Sequence, residues 1–115
     1  MSSHGFIERR LCPRFPLTLC VNCFDMYSEK KIDGQTKDIS AQGLRLISDK
    51  PLLAGYKLEI FIKMSDNGEK IYRKGKVVWS NISSQNKYQV GVFFDEKSLN
   101  PVPIVLRTIM TEKNY

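Results

Sequence analysis

Histidine is nearly absent from this chain; His4 is the only one. Nucleophilic catalysis of the Ser-His or Cys-His kind needs an imidazole held on a rigid scaffold, and a lone histidine in an N-terminal tail cannot supply it. The carboxylates offer no substitute. Asp38, Glu59, Asp66 and Glu69 fall on separate expected strands or turns, without the convergence that acid–base work requires. A phosphate-cradling glycine loop is also missing. No apolar run approaches the roughly 20 residues needed to span a bilayer, and the opening "MSSHGFIERR" lacks an apolar signal core. The expectation is a cytoplasmic protein that binds rather than catalyses, with no membrane insertion.

Cysteine is scarce and odd in number. Three thiols without a secretory signal suit a reducing compartment. Cys20 and Cys23 form a CxxC, but "FPLTLCVNCF" alternates, placing Phe15, Leu17, Leu19, Val21 and Cys23 on one face of a strand and Cys20 on the other. Thiols on opposite faces do not converge on a metal, and there is no second CxxC. We therefore expect structural thiols and no metal site.

The 115 residues make one domain. Eighteen Lys and Arg against twelve Asp and Glu leave a net charge of +6, which favours an anionic partner. The lysines are spread along the chain like those of a solvated surface. Only "ERRLCPRF", residues 8–15, concentrates cations, with Arg9, Arg10 and Arg14.

After that cluster the chain reads as β structure. The Phe15 to Phe24 strand is followed by Asp33-Gly34, a hairpin signal, a short segment from Gln35 to Ile39, and the turn "SAQG". "GLRLIS" sets Leu44 and Leu46 against Arg45. "YKLEIFIKM" points Tyr56, Leu58, Ile60, Ile62 and Met64 inward. "DNG" at 66–68 predicts a type I′ hairpin, leading to "IYRKGKVVWS" and then "YQVGVFF", where Tyr88, Val90, Val92 and Phe94 share a face. The fold class is thus all-β: a six-stranded antiparallel barrel, closed because short strands must hide their edges. The period changes near residue 100. Asn100 suits a helix cap and Pro101 the first helical position; Val102, Val105, Leu106, Ile109 and Met110 then form an apolar stripe. We expect a helix over about 100–112 that closes the barrel through this stripe, with a face available to a partner. Residues 1–14 read as a flexible arm, and 15–115 as the barrel with its helix.

Two features carry chemistry. Guanidinium groups grip phosphate oxygens in pairs and stack on flat rings. In "DISAQG", Asp38 is an acceptor suited to the N–H edge of guanine, Ser40 adds a hydroxyl two residues on, and Gly43 removes a side chain where a ligand approaches. Charge-assisted bonds net on the order of 1.5–3 kcal/mol each, so four or five reach the roughly 8 kcal/mol of a micromolar complex after binding costs. The residues alone give a basic arm and a polar turn on a small barrel, for which a nucleotide is the expected ligand.

These residues resemble a known family. "RRLCPR" matches an RxxxR signature through Arg10 and Arg14, with Arg9 directly before it, and "DISAQG" matches [D/N]xSxxG through Asp38, Ser40 and Gly43. With "GKVVW" and "YQVGVFF" further on, the pattern is similar to the PilZ domain, a bacterial receptor for cyclic di-GMP, from about Ile7 to the terminal helix. The resemblance implies that Arg9, Arg10 and Arg14 clamp phosphates and guanines, that Asp38 and Ser40 bond a guanine, and that Gly43 keeps the surface open. It adds Trp79 as an apolar or stacking neighbour and Arg45 as a group within reach of a phosphate. An arginine before RxxxR accompanies a stacked ligand dimer in this family, so Arg9 implies two nucleotides per site and no other cofactor. The implied role is a receptor or adaptor, monomer or weak homodimer, whose arm orders on binding and which signals to a protein effector of motility, pili, exopolysaccharide or biofilm control. Two alternatives stand beside it: a basic β-barrel that binds RNA or DNA, and a ligand-independent adaptor. Nucleic-acid barrels interleave exposed aromatics with basic residues on strands, whereas most strand aromatics here are expected to face inward.

Overall fold

The computed structural model describes residues 13–95 and 97–113. Its strands are β1 (Phe15–Pro16), β2 (Cys20–Asp25), β3 (Lys31–Ile39), β4 (Gly43–Ser48), β5 (Lys57–Lys63), β6 (Lys70–Ser84) and β7 (Lys87–Phe94), followed by helix α1 (Pro101–Lys113). Six of them run in the order β3-β2-β5-β6-β7-β4, and β4 returns to pair with β3. Every pairing is antiparallel, so the sheet is the expected six-stranded antiparallel barrel. Two-residue β1 sits on the same edge of β3, beyond the end of β2. No helix among the described residues is long and apolar enough to cross a membrane.

Alternation builds the interior. Val21, Cys23, Leu44, Leu46, Leu58, Ile60, Ile62, Met64, Val77 and Val90 are all buried in one core. Each large aliphatic among them contributes about 1.5–3 kcal/mol relative to exposure. As the alternation requires, Cys20 is exposed and Cys23 is buried.

The Phe15 to Phe24 strand is broken at residues 17–19. There the Thr36 hydroxyl accepts from the Leu19 amide at 2.8 Å and donates to the Leu17 carbonyl, while backbone bonds from the Thr36 amide to the Leu19 carbonyl and from the Leu17 amide to the Lys37 carbonyl still tie the stretch to β3. Asp33-Gly34 makes no hairpin; both residues lie inside β3. The chain reverses earlier, between Asp25 and Lys30, whose backbones bond at 3.0 Å, with Glu29 at φ 59°. Asp25 fixes this loop by accepting from the Tyr27 amide at 2.9 Å. Residues 26–29 form a four-residue loop with one left-handed position, Glu29, and the strand pairing has no need of the Asp-Gly dipeptide. The "DNG" hairpin does form, through a loop of the same kind. Among its residues only Gly68 has positive φ, 75°, so the turn is not type I′.

The helix begins at Pro101 as expected, but its packed face is different. Pro101, Ile104 and Thr108 are buried, whereas Val102, Leu106, Ile109 and Met110 are 41–64% exposed and only Val105 of the expected stripe packs partly on the core. In this orientation Arg107 grips Asp66 with two bonds of 2.7 and 2.8 Å, tying α1 to the β5–β6 loop.

Candidate functional site

Two β-bulges decide which side chains reach the outer wall. On β3, Thr36 pairs with Leu46 and Asp38 with Arg45, so Lys37 is the extra residue. The insertion rotates Asp38 outward, onto the face of Arg45, where strict alternation from Thr36 would have turned it inward. On β6, Val77 pairs with Val92 and Trp79 with Gly91, leaving Val78 as the extra residue. Trp79 is thereby carried outward as well. Because Arg45 also pairs with Gly91, one row crosses four strands: Asp38, Arg45, Gly91, Trp79. Pro16 of β1 extends it beside Asp38.

At one end of this row Asp38 is shared by two cations. Arg14 Nη1 donates to Oδ1 at 2.9 Å, and Arg45 donates to Oδ2 through Nε at 2.6 Å and also through Nη2. The carboxylate side chain is 4% exposed, against 53% for Arg14 and 33% for Arg45. Burial of an ionised carboxylate requires such compensation. The oxygens expected to meet a guanine are therefore already engaged.

Beside it lies a groove of about 510 Å³, lined by Arg14, Ser40, Gln42, Gly43, Val78, Trp79, Gly91, Val92 and Phe93. The Ser40–Gly43 turn forms its rim; the Ser40 amide donates to the Gly43 carbonyl at 2.9 Å and the Ser40 hydroxyl to the same oxygen at 3.2 Å. Ser40 thus leaves the strand instead of continuing the face of Asp38. Gly43 lines the groove, but its glycine identity is demanded by packing: a β-carbon there would overlap the Val92 carbonyl oxygen. Exposed Phe93 and Val78 give the groove an apolar wall.

Of the residues singled out in the sequence, the structure brings Arg14, Ser40, Gly43 and Trp79 to the groove and places Asp38 against Arg14. Arg45 belongs to the same wall but is engaged by Asp38 and does not line the groove. Arg9 and Arg10 lie outside the described residues. Gln42, Val78, Gly91, Val92 and Phe93 were missed. Phe93 and Gly91 were readable as the outward positions of "YQVGVFF"; Val78 depended on a bulge that alternation does not announce.

The expected inward bias of the aromatics is corrected. Phe24, Phe61, Tyr72, Trp79 and Phe93 sit at outward positions of their strands, and Phe61 packs between Phe24 and Tyr72 with ring centroids 5.8 and 5.0 Å away. Edge-to-face and tilted ring pairs across strands stabilise a sheet from outside, a use that inward counting overlooks.

A family model described as the PilZ domain matches residues 8–107. No curated protein sequence matches the chain. Among solved structures, the Bacillus subtilis inhibitor of motility (MotI/DgrA) is similar with a TM-score of 0.65 and 16% identity over 93% of this chain, which spans only 54% of that one. The PilZ domain with c-di-GMP of YcgR from Escherichia coli gives 0.62 and 14%, covering 90% of each chain. The PilZ domain of CeSA from a cellulose-synthesising bacterium gives 0.54 and 14%, covering 86% of this chain and 93% of that one. At such identities the likeness is one of fold.

Proposed function

The chain belongs to the PilZ domain family, and from that premise we propose that it is a receptor for cyclic di-GMP, bound in the groove between the Ser40–Gly43 turn and the outer faces of β6 and β7. The observation that carries this reading is the meeting of Arg14, from the arginine signature, with Ser40 and Gly43, from the second signature, on a groove walled by Trp79 and Phe93. A guanidinium for phosphate, a hydroxyl and backbone for a base edge, and an aromatic wall for a base face are the parts that a cyclic guanine dinucleotide needs. The module binds and signals; no chemical step is assigned to it.

In this reading Arg9 and Arg10 join Arg14 on the phosphates and guanines, and the arm that carries them orders over the groove, offering a surface to a protein effector. Arg9 directs the site toward a stacked pair of nucleotides. Two similar structures are described by c-di-GMP binding and by inhibition of motility, which is where an effector is first sought. Isothermal titration with cyclic di-GMP, on this chain and on Arg14→Ala and Asp38→Ala, tests the reading. Micromolar or tighter binding by the wild type, weakened at least tenfold by Arg14→Ala, is expected. No heat at saturating nucleotide removes the receptor role and leaves the ligand-independent adaptor. The same titration gives the number of nucleotides bound.

A second reading has one observation in its favour. The outward Phe24, Phe61 and Tyr72 lie among exposed Lys31, Lys63, Lys70 and Lys74 on the wall of β3, β2, β5 and β6, the composition of a single-stranded nucleic-acid platform. Binding of a labelled oligothymidine that falls steeply with salt would support it.

A further inference from the structure

Arg14 and Arg45 both hold Asp38, but they hold it from different situations. Arg45 stands opposite Asp38 in the β3–β4 register, its Nε and Nη2 both aimed at Oδ2. Its backbone is locked between β3 and β7, and it takes no part in lining the groove. Arg14 precedes the two-residue strand β1, reaches Oδ1 through a single Nη1, is 53% exposed, and also lines the groove. One arginine is anchored by a paired strand on both sides. The other is tethered at the end of the sheet with its charge at the groove mouth.

We infer that Arg45 is a fixed positioning residue for Asp38, and that Arg14 is an exchangeable partner, parked on Asp38 until a phosphate in the groove draws its guanidinium away. The inference rests on the receptor reading for the identity of the phosphate, although the division of roles between the arginines is a property of the ligand-free protein. Asp38 is nearly inaccessible, so losing both cations would leave a buried charge uncompensated, which is strongly unfavourable. Losing Arg14 alone leaves the bonds from Arg45 in place. Arg45 thus makes the exchange of Arg14 between carboxylate and phosphate tolerable, and keeps Asp38 oriented while it occurs. Its removal should weaken ligand binding without its touching the ligand.

Thermal melting of the ligand-free chain tests the division directly, with Arg14→Met, Arg45→Met, Asp38→Asn and the two double variants that include Asp38→Asn. We expect Arg45→Met to lower the melting temperature several-fold more than Arg14→Met, and the Arg45/Asp38 cycle to show the larger coupling. Equal couplings, or a larger one for Arg14/Asp38, overturn the inference. Should Asp38→Asn fail to fold, arginine side-chain NMR on the wild type decides instead: the Arg45 guanidinium must exchange with water markedly more slowly than that of Arg14.

Titration with cyclic di-GMP reads the second half. Arg45→Met should reduce affinity about tenfold in the wild-type background and less than twofold in Asp38→Asn, with Arg45→Lys restoring part of the loss. An equal loss in both backgrounds means that Arg45 touches the ligand, and the positioning role falls. If the wild type does not bind the nucleotide, the receptor reading and the proposed exchange onto its phosphate fall, while the melting cycles still decide the roles of the two arginines.

Discussion

The indole of Trp79 lies directly over Gly91: a β-carbon on Gly91 would overlap its Nε1 and Cε2 atoms. The two residues are register partners across β6 and β7, and the contact fixes the aromatic wall of the groove. Gly91→Ala should therefore displace the ring rather than be absorbed by the strand. Overpacking of this kind costs about 1–3 kcal/mol. As Trp79 is the chain's single tryptophan, its emission reports the displacement without a label. A shifted emission maximum and weaker cyclic di-GMP binding are expected; an unchanged spectrum with full affinity means that the indole does not form part of the site.

The break between β1 and β2 depends on one hydroxyl. Thr36 is 2% exposed and bridges the Leu19 amide and the Leu17 carbonyl, leaving both without that partner if the hydroxyl is lost. Thr36→Val keeps the shape and should cost about 1–3 kcal/mol through the unsatisfied backbone groups. Thr36→Ser should recover most of it. Denaturant melts of the two variants check the ordering, and equal stability of Val and wild type would assign the break to something other than the bridge.

How far the sequence could be read follows from where alternation holds. Leu58, Ile60 and Ile62 on β5 face the core with no interruption, and the barrel was legible from stretches of this sort. Asp38 and Trp79 were legible as residue types but not as neighbours. Each reaches the outer wall only through a bulge, at Lys37 and Val78, and a bulge shifts the period by one without a residue that marks it. The helix misled for another reason. Val102, Leu106 and Ile109 are the better apolar stripe by composition, yet Ile104 and Thr108 face the barrel instead, with Arg107 on Asp66 beside them. The fit is set by the shape of the barrel end that receives them and not by helical periodicity.

Acid should loosen the β2–β3 loop before it loosens the barrel. The Tyr27 amide, donating to Asp25, holds that carboxyl below its ordinary value of 3.8, with Ser28 and Lys30 acting in the same direction against the effect of burial. A carboxyl whose folded value is depressed stabilises the fold fully above the unfolded value, and this contribution is lost as pH falls from there through the folded value. The melting temperature should thus decline between about pH 5 and pH 2, and Asp25→Asn, less stable at neutral pH, should decline less over that window. Parallel pH profiles for variant and wild type would dissociate Asp25 from the acid response.

Cys20 and Cys23 differ by three positions and should differ greatly in reactivity. Cys20 is exposed on β2, whereas Cys23 is 1% exposed in the core, where burial, with Asp33 adding to it, pushes its thiol up to about 12. The thiolate is the nucleophile, so at pH 8 Cys23 is both sealed from reagent and protonated. Iodoacetamide followed by peptide mass mapping should label Cys20 within minutes and leave Cys23 unmodified until denaturant is added. Labelling of Cys23 that tracks the global unfolding curve would place β2 among the most stable strands of the barrel, and rapid labelling in native buffer would show that this strand opens locally.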